Sequence, residues 1–217
     1  MGQKVHPKGL RLGITQPWDS RWMFGSKRMF RETLLDDIKI RAGLMEAFKF
    51  AHVTRVEIER AINKIVITMH AVKPGMLIGR GGKGLEDVKK FVTDIVGQAR
   101  IEKEKIKIDL KIEPVKKPYL NAYYVATDIA GKIVRGLPHR IVIHHTLDRV
   151  MESGAKGVKI QLGGRINGAS ISRREKYYQG TVPVSTIRED VDFALFPALT
   201  KSGYVGVKVW ISRKEEE

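Results

Sequence analysis

The stretch GMLIGRGGKGLEDVKKF, Gly75 to Phe91, sets Gly79, Gly81, Gly82 and Gly84 beside Arg80 and Lys83, directly ahead of an amphipathic pattern. Glycines at that density let a backbone approach a ligand closely, because no Cβ holds it away. A helix that begins just behind them offers free N–H groups and the positive end of its dipole, so the natural ligand is an anion, above all a phosphate. Arg80 and Lys83 add charge that can follow such a ligand. Three readings compete: a cradle for a nucleotide cofactor, a clamp on a nucleic-acid strand, or a tight turn that needs positive φ and binds nothing.

Gly79, Gly81 and Gly84 satisfy G-x-G-x-x-G, the dinucleotide fingerprint, but the surroundings do not. A dinucleotide turn follows a buried strand running straight into its first glycine, with an acidic residue about 20 positions on. Here Lys73 and Pro74 interrupt the chain, and Glu113 lies too far away. No Gly-Lys-Ser/Thr follows at the spacing of a P-loop. As an RNA clamp the stretch fits better. The KH module uses a G-x-x-G loop between two helices to hold the backbone of four nucleotides, and Gly79-Arg80-Gly81-Gly82 stands between a short helical PGMLI and a helix over Lys83–Arg100.

The elements around the loop support this reading. Leu34, Ile38, Ala42, Met45 and Phe48 recur at helical spacing. VTRVEIE (53–59) and KIVITMH (64–70) read as two strands joined by a short connector. Behind the loop, Leu85, Val88, Val92, Ile95, Val96 and Ala99 form one helical stripe. KIKIDLKIE (105–113) alternates strictly, as a half-buried strand does. The order over residues 33–113 is therefore α-β-β-α-α-β, the type II KH arrangement. EPVKKP carries Pro114 and Pro118 and reads as a linker at 114–118. Residues 119–213 predict two helices, about 118–135 and 139–153, laid on an antiparallel sheet made from KGVKIQLGG, SISRREKYY, DVDFALF and GYVGVKVWIS. Residues 1–32 read as a basic extension with little periodicity, and 214–217 as an acidic tail. The expected fold class is α+β.

Composition points the same way. The 217 residues carry 40 Lys and Arg against 24 Asp and Glu, a net charge of +16. Such an excess favours polyanions, and counterion release makes nucleic acid the default partner. No window approaches the ~18 apolar residues of a spanning helix, and the first residues, MGQKVHPKGLRLGI, show no secretory h-region. The chain has no cysteine, hence no thiolate nucleophile, disulfide or zinc ribbon. His144 and Asp148 share a helix face, but adjacent His145 diverges by about 100° and nothing completes a metal shell. No Ser/His/Asp or paired-carboxylate constellation stands out. The expectation is no enzyme, no cofactor, no metal and no membrane.

MGQKVHP, GLRLGI, the W-x-S-x-W of Trp18, Ser20 and Trp22, PGMLIGRGG, GAKGVKIQLGGRINGA, YYQGTVP and GVKVWI follow one another from residue 1 to about 212. In that order they resemble the bacterial-type small-subunit ribosomal protein S-three family, which is universal and carries a type II KH domain. The resemblance implies a place on the head of the small ribosomal subunit, binding to ribosomal RNA, contact with messenger RNA where it enters its channel, and neighbouring small-subunit proteins as partners. It implies a cytoplasmic, ribosome-bound protein. The residues expected to bear on RNA are Gly79, Arg80, Gly81, Gly82 and Lys83 in the KH loop. Lys4, His6, Lys8 and Arg11 are expected in an N-terminal arm, and Arg140, Arg165, Arg173, Arg174 and Lys176 in the second domain, where Tyr177 and Tyr178 interleave for stacking. Trp18 and Trp22 are read either as stacking on bases or as anchoring the arm to the protein. A free-standing KH-type RNA-binding regulator or chaperone is the competing class.

One departure from the family pattern is visible. Its basic run of the form F-R-R-A-M-K-R, held to grip and unwind messenger RNA, corresponds here to HRIVIHH, His139 to His145. Arg140 keeps one arginine, Ile141 replaces the next, and His144 stands for the lysine. Two cationic contacts are therefore expected to be weakened or missing.

Overall fold

The computed structural model describes residues 3–23, 25–61, 63–97 and 107–214. The chain divides into two compact units. Residues 18–116 form one; residues 1–17 and 117–217 form the other. The opening of the chain, including helix α1 (Pro7–Arg11), thus belongs with the second half of the sequence.

The 18–116 unit begins with a two-residue strand, β1 (Ser20–Arg21), and a 21-residue helix, α2 (Lys27–Ala47). The helix starts well before the apolar repeat that predicts it, and buries Thr33, Asp37, Ile40 and Leu44 along one stripe. Strands β2 (Val53–Ala61) and β3 (Lys64–Ala71) pair antiparallel, with Ile58 opposite Ile67 and Val56 opposite Met69. Then come the five-residue helix α3 (Pro74–Ile78), a 3-10 turn at Arg80–Gly82, and helix α4 (Lys83–Val96). Strand β4 (Lys107–Pro114) joins β3 in parallel, Ile65 beside Ile108 and Ile67 beside Leu110. Sheet order is β1-β2-β3-β4. Alternation buries Val56, Ile58, Ile65, Ile67 and Met69 under Ile40 and Leu44 of α2, Leu77 of α3, and Val88, Val92 and Val96 of α4. This is the order the sequence predicts, apart from Ala99, Arg100, Lys105 and Ile106, which lie outside the described residues. Pro114 ends a strand and is not part of a loose linker: it stands in register with Ala71, and the Val115 amide donates to the Ala71 carbonyl at 3.1 Å.

In the other unit, helix α5 (Ala122–Val134) is capped by Asn121, whose side-chain oxygen accepts from the amides of Tyr123 and Tyr124 at 3.0 and 3.2 Å. Helix α6 (His139–Glu152) follows. Strands β5 (Ala155–Gly164), β6 (Arg173–Gly180), β7 (Val191–Thr200) and β8 (Gly203–Arg213) form an antiparallel sheet in the order β6-β5-β8-β7. Val158, Ile160 and Leu162 of β5 and Val205, Val207, Val209 and Ile211 of β8 point to one face, where Val125, Ile129, Ile143 and Val150 of the helices close the core. The opposite parity of the same strands carries the polar and basic side chains.

Candidate nucleic-acid interface

The glycine turn of the KH unit is built from two different requirements. Gly79, Gly81 and Gly82 have φ of 68°, 65° and 81°, the left-handed side that side-chain-bearing residues avoid. Around Gly81 and Gly82 an added Cβ meets nothing within 4 Å, so these positions are set by conformation and leave open space above the backbone. Gly84 is set by crowding: a Cβ there falls 2.1 Å from the Leu77 carbonyl oxygen, where α3 rests on α4. No side chain caps the first turn of α4, so its free amides open beside the turn. Lys83 is exposed there. Arg80 contributes its backbone to the turn; its side chain lies outside the described residues. Leu77 and Val88 anchor the two sides in the core, so the loop is held by packing as well as by glycine.

The N-terminal residues depart from expectation. Arg11, expected to face RNA, is 0% exposed. Its Nε donates to the Glu189 carbonyl at 2.7 Å, Nη1 to Pro7 at 2.9 Å, and Nη2 to Thr186, Val184 and Pro183 at 2.8, 3.1 and 3.3 Å. A fully buried guanidinium whose three nitrogens all donate to backbone oxygens holds the 183–189 loop and is not available to phosphate. His6 is likewise structural. Its Nδ1 accepts from the Gly9 amide at 3.2 Å as the cap of α1, and its ring stands edge-on to Phe193 at 5.0 Å. Burial, and then the charge of Lys8, hold the imidazole below its ordinary pKa. Of the four arm residues, Lys4 is exposed and Lys8 half-buried. The absence of periodicity in the sequence hid this, because Arg11 and Gln16 find their partners more than 170 positions away.

Strand alternation divides the second-domain cluster between two faces. On the helix side, Glu175 gathers its neighbours. The Tyr177 hydroxyl donates to Oε2 at 2.6 Å, His139 Nε2 lies 2.8 Å from the same atom, and Arg173 Nε lies 2.7 Å from Oε1. The Tyr177 bond, more than His139 or Arg173, draws the Glu175 carboxyl below its ordinary range, against its burial. Burial and then Glu175 push the Tyr177 hydroxyl up, while Arg140 opposes them. Arg165 holds its own loop, donating to the Ala169 carbonyl at 2.7 Å and the Ser202 carbonyl at 3.3 Å. Arg174, Lys176 and Tyr178 point to the other side of β6.

Sequence reasoning passed over Lys159 and Lys208, which share that other side. The period-2 pattern of KGVKIQLGG and GYVGVKVWIS was a usable signal for their direction, but which strands would adjoin was not. Of the two tryptophans, Trp22 is an anchor: its indole N–H donates to Asp37 at 2.6 Å and its ring lies 5.2 Å from Phe30. Trp18 is 61% exposed. His144 and His145 are exposed on α6, the former edge-on to Tyr177 at 5.9 Å.

Comparison with known proteins agrees with this architecture. The KH domain family matches residues 39–120, and the family described as ribosomal protein S3, C-terminal domain, matches residues 129–211. Small ribosomal subunit protein uS3 of Carboxydothermus hydrogenoformans is 40% identical over 99% of this chain and 93% of its own length. Its counterpart from Hydrogenovibrio crunogenus is 42% identical over 100% and 91%, and that from Lactobacillus acidophilus 41% identical over 99% and 92%. These are relatives named for a structural part of the ribosome, not for an enzyme. With a KH loop in the first unit, the matching C-terminal domain in the second and likeness along its whole length, the chain belongs to the small ribosomal subunit protein uS3 family.

Proposed function

We propose that this member of the family is built into the head of the small ribosomal subunit, where it holds ribosomal RNA, touches neighbouring subunit proteins, and contacts messenger RNA near where it enters its channel. The observation that carries the reading is the exposed turn at Gly79–Gly82: three positive-φ glycines open onto the uncapped first turn of α4, with Lys83 beside them. That is a surface suited to a sugar-phosphate backbone and to no base edge in particular. Messenger RNA contact falls to the outer face of α6, where Arg140, Ile141, His144 and His145 are exposed. A net charge of +16 supports embedding in a polyanion.

Sucrose-gradient sedimentation of lysate, repeated after a high-salt wash, tests this. The expected result is co-migration with the small subunit through the wash. Release into the free-protein fractions would overturn it in favour of a free-standing RNA-binding regulator. Changing Arg80 and Gly81 together to Asp sets negative charge against phosphate and costs the fold only the positive-φ penalty at position 81, about 1 kcal/mol, since an added Cβ there meets open space. It is expected to weaken RNA binding by the isolated protein and to reduce the salt slope.

A further inference from the structure

The face of the second sheet opposite α5 and α6 is a row-by-row array of cations and rings, covered at its β7 end by α1, whose cap His6 stands edge-on to Phe193. In one row Tyr178 of β6, Lys159 of β5, Trp210 of β8 and Phe193 of β7 stand in register. The next row is Lys176, Gln161, Lys208 and Leu195, and the third Arg174, Gly163, Gly206 and Pro197. Strands about 4.8 Å apart and rows about 6.8 Å apart put these side chains within reach of one extended ligand.

Four cations occupy the three rows and no carboxylate does. Among the described residues, Arg174, Lys176 and Lys208 have no ion pair. Lys159 rests over the Trp210 ring at 5.2 Å, and burial and then the charges of Lys4 and Lys176 push its ammonium down. Like charges crowded on one face without acids call for an external anion. In the third row Gly163 and Gly206 leave the floor bare, and a trough of about 490 Å³ opens between Ser172, Arg174 and Lys208. Tyr178 is 75% exposed, a free ring at the edge of the cations.

We infer that this sheet face is a second RNA-binding surface, taking an unpaired strand whose base stacks on Tyr178 and whose phosphates lie along Lys159, Lys176 and Lys208 toward the glycine-floored trough beside Arg174. The inference rests on the ribosomal reading above and names the part of the second domain that meets RNA. A duplex keeps its bases stacked on one another and offers none to Tyr178, so the surface selects unpaired RNA. Beyond Lys208 the character changes: Leu195, Leu199 and Tyr204 are exposed, and the basic track stops at β8.

The test uses the full-length protein carrying Arg80→Asp and Gly81→Asp, so that the KH loop is silent. Fluorescence anisotropy measures its binding to an unpaired RNA of about twelve nucleotides and to the matching duplex. Binding to the single strand is expected, and weaker binding to the duplex. Tyr178→Ala is expected to weaken single-strand binding about tenfold, with Tyr178→Phe restoring it. Lys176→Met with Lys208→Met is expected to reduce the slope of log affinity against log salt by ~1.4, ~0.7 for each phosphate contact. No residual binding in the loop-silenced protein, or residual binding indifferent to these changes, would overturn the inference. So would RNA binding left intact while the lysine variant falls off the subunit, which assigns the face to a protein neighbour. None of these results touches co-sedimentation of the unaltered protein, on which the ribosomal reading stands or falls separately.

Discussion

Arg11 and Glu189 are 178 positions apart in sequence and joined at 2.7 Å, guanidinium Nε to backbone carbonyl. The bond turns a residue with the look of an RNA contact into a clamp on the loop ahead of β7. Five carbonyl oxygens depend on one buried side chain. Replacing Arg11 by Met is expected to cost about 3 kcal/mol, since buried acceptors are left without donors. Lys, with one nitrogen for three, is expected to recover only a part. Urea unfolding of the intact protein checks this, and unchanged stability in the Met variant would contradict the role.

Asp37 plays the matching part in the KH unit. It is buried on α2, receives Nε and Nη2 of Arg60 at 2.8 and 2.6 Å, and also accepts from Trp22 and Ser20. Asp37→Ala strands the Arg60 charge, whose side chain is 5% exposed, and is expected to cost about 3 kcal/mol or more. Amide exchange at Ser20 and Arg21 should accelerate in the variant, because the carboxylate ties β1 and Trp22 to the helix.

The two kinds of glycine in the KH turn should respond differently. Gly84→Ala drives a methyl into the Leu77 carbonyl and is expected to destabilise the unit by about 2 kcal/mol and weaken RNA binding together. Gly81→Ala meets open space and only the positive-φ penalty, about 1 kcal/mol. Thermal unfolding of both variants beside RNA titration separates crowding from conformation. Equal losses of stability would show that the distinction is false.

The α1 cap should sense pH. His6 must be neutral at Nδ1 to accept from Gly9, and burial holds its pKa below the ordinary 6.5. A lowered folded pKa means the cap's stability is fully present above pH 6.5 and is lost as pH falls through the folded value. Protection of the Gly9 amide, corrected for intrinsic exchange, is therefore expected to drop on acidification. His6→Asn keeps a capping oxygen that does not titrate, and its protection should stay flat.

Much of this was readable in the residues themselves. The alternation of KIKIDLKIE and KGVKIQLGG, the stripe of Val88 and Val92, and glycines ahead of a helix each reflect a local period, 2 or 3.6, that burial imposes wherever the element goes. Ordered motifs carried the family. Of the N-terminal residues, Arg11 departs from its expected place because it takes its role from Glu189, and no local pattern announces a partner so far along the chain.

The basic cluster shows where local reading stops. Arg173, Arg174 and Lys176 are neighbours on one strand, so their charge and their alternation were visible from the start. That Arg173 is spent on Glu175, while Arg174 and Lys176 line a face with Lys159 and Lys208, follows from the order β6-β5-β8 and its register. Composition, strand period and the positive-φ glycines were settled by residue chemistry alone, because each acts within a few positions of chain. Which cations meet a carboxylate and which stand on a face without one was settled by strand pairing, because Coulomb partners are chosen by distance in space.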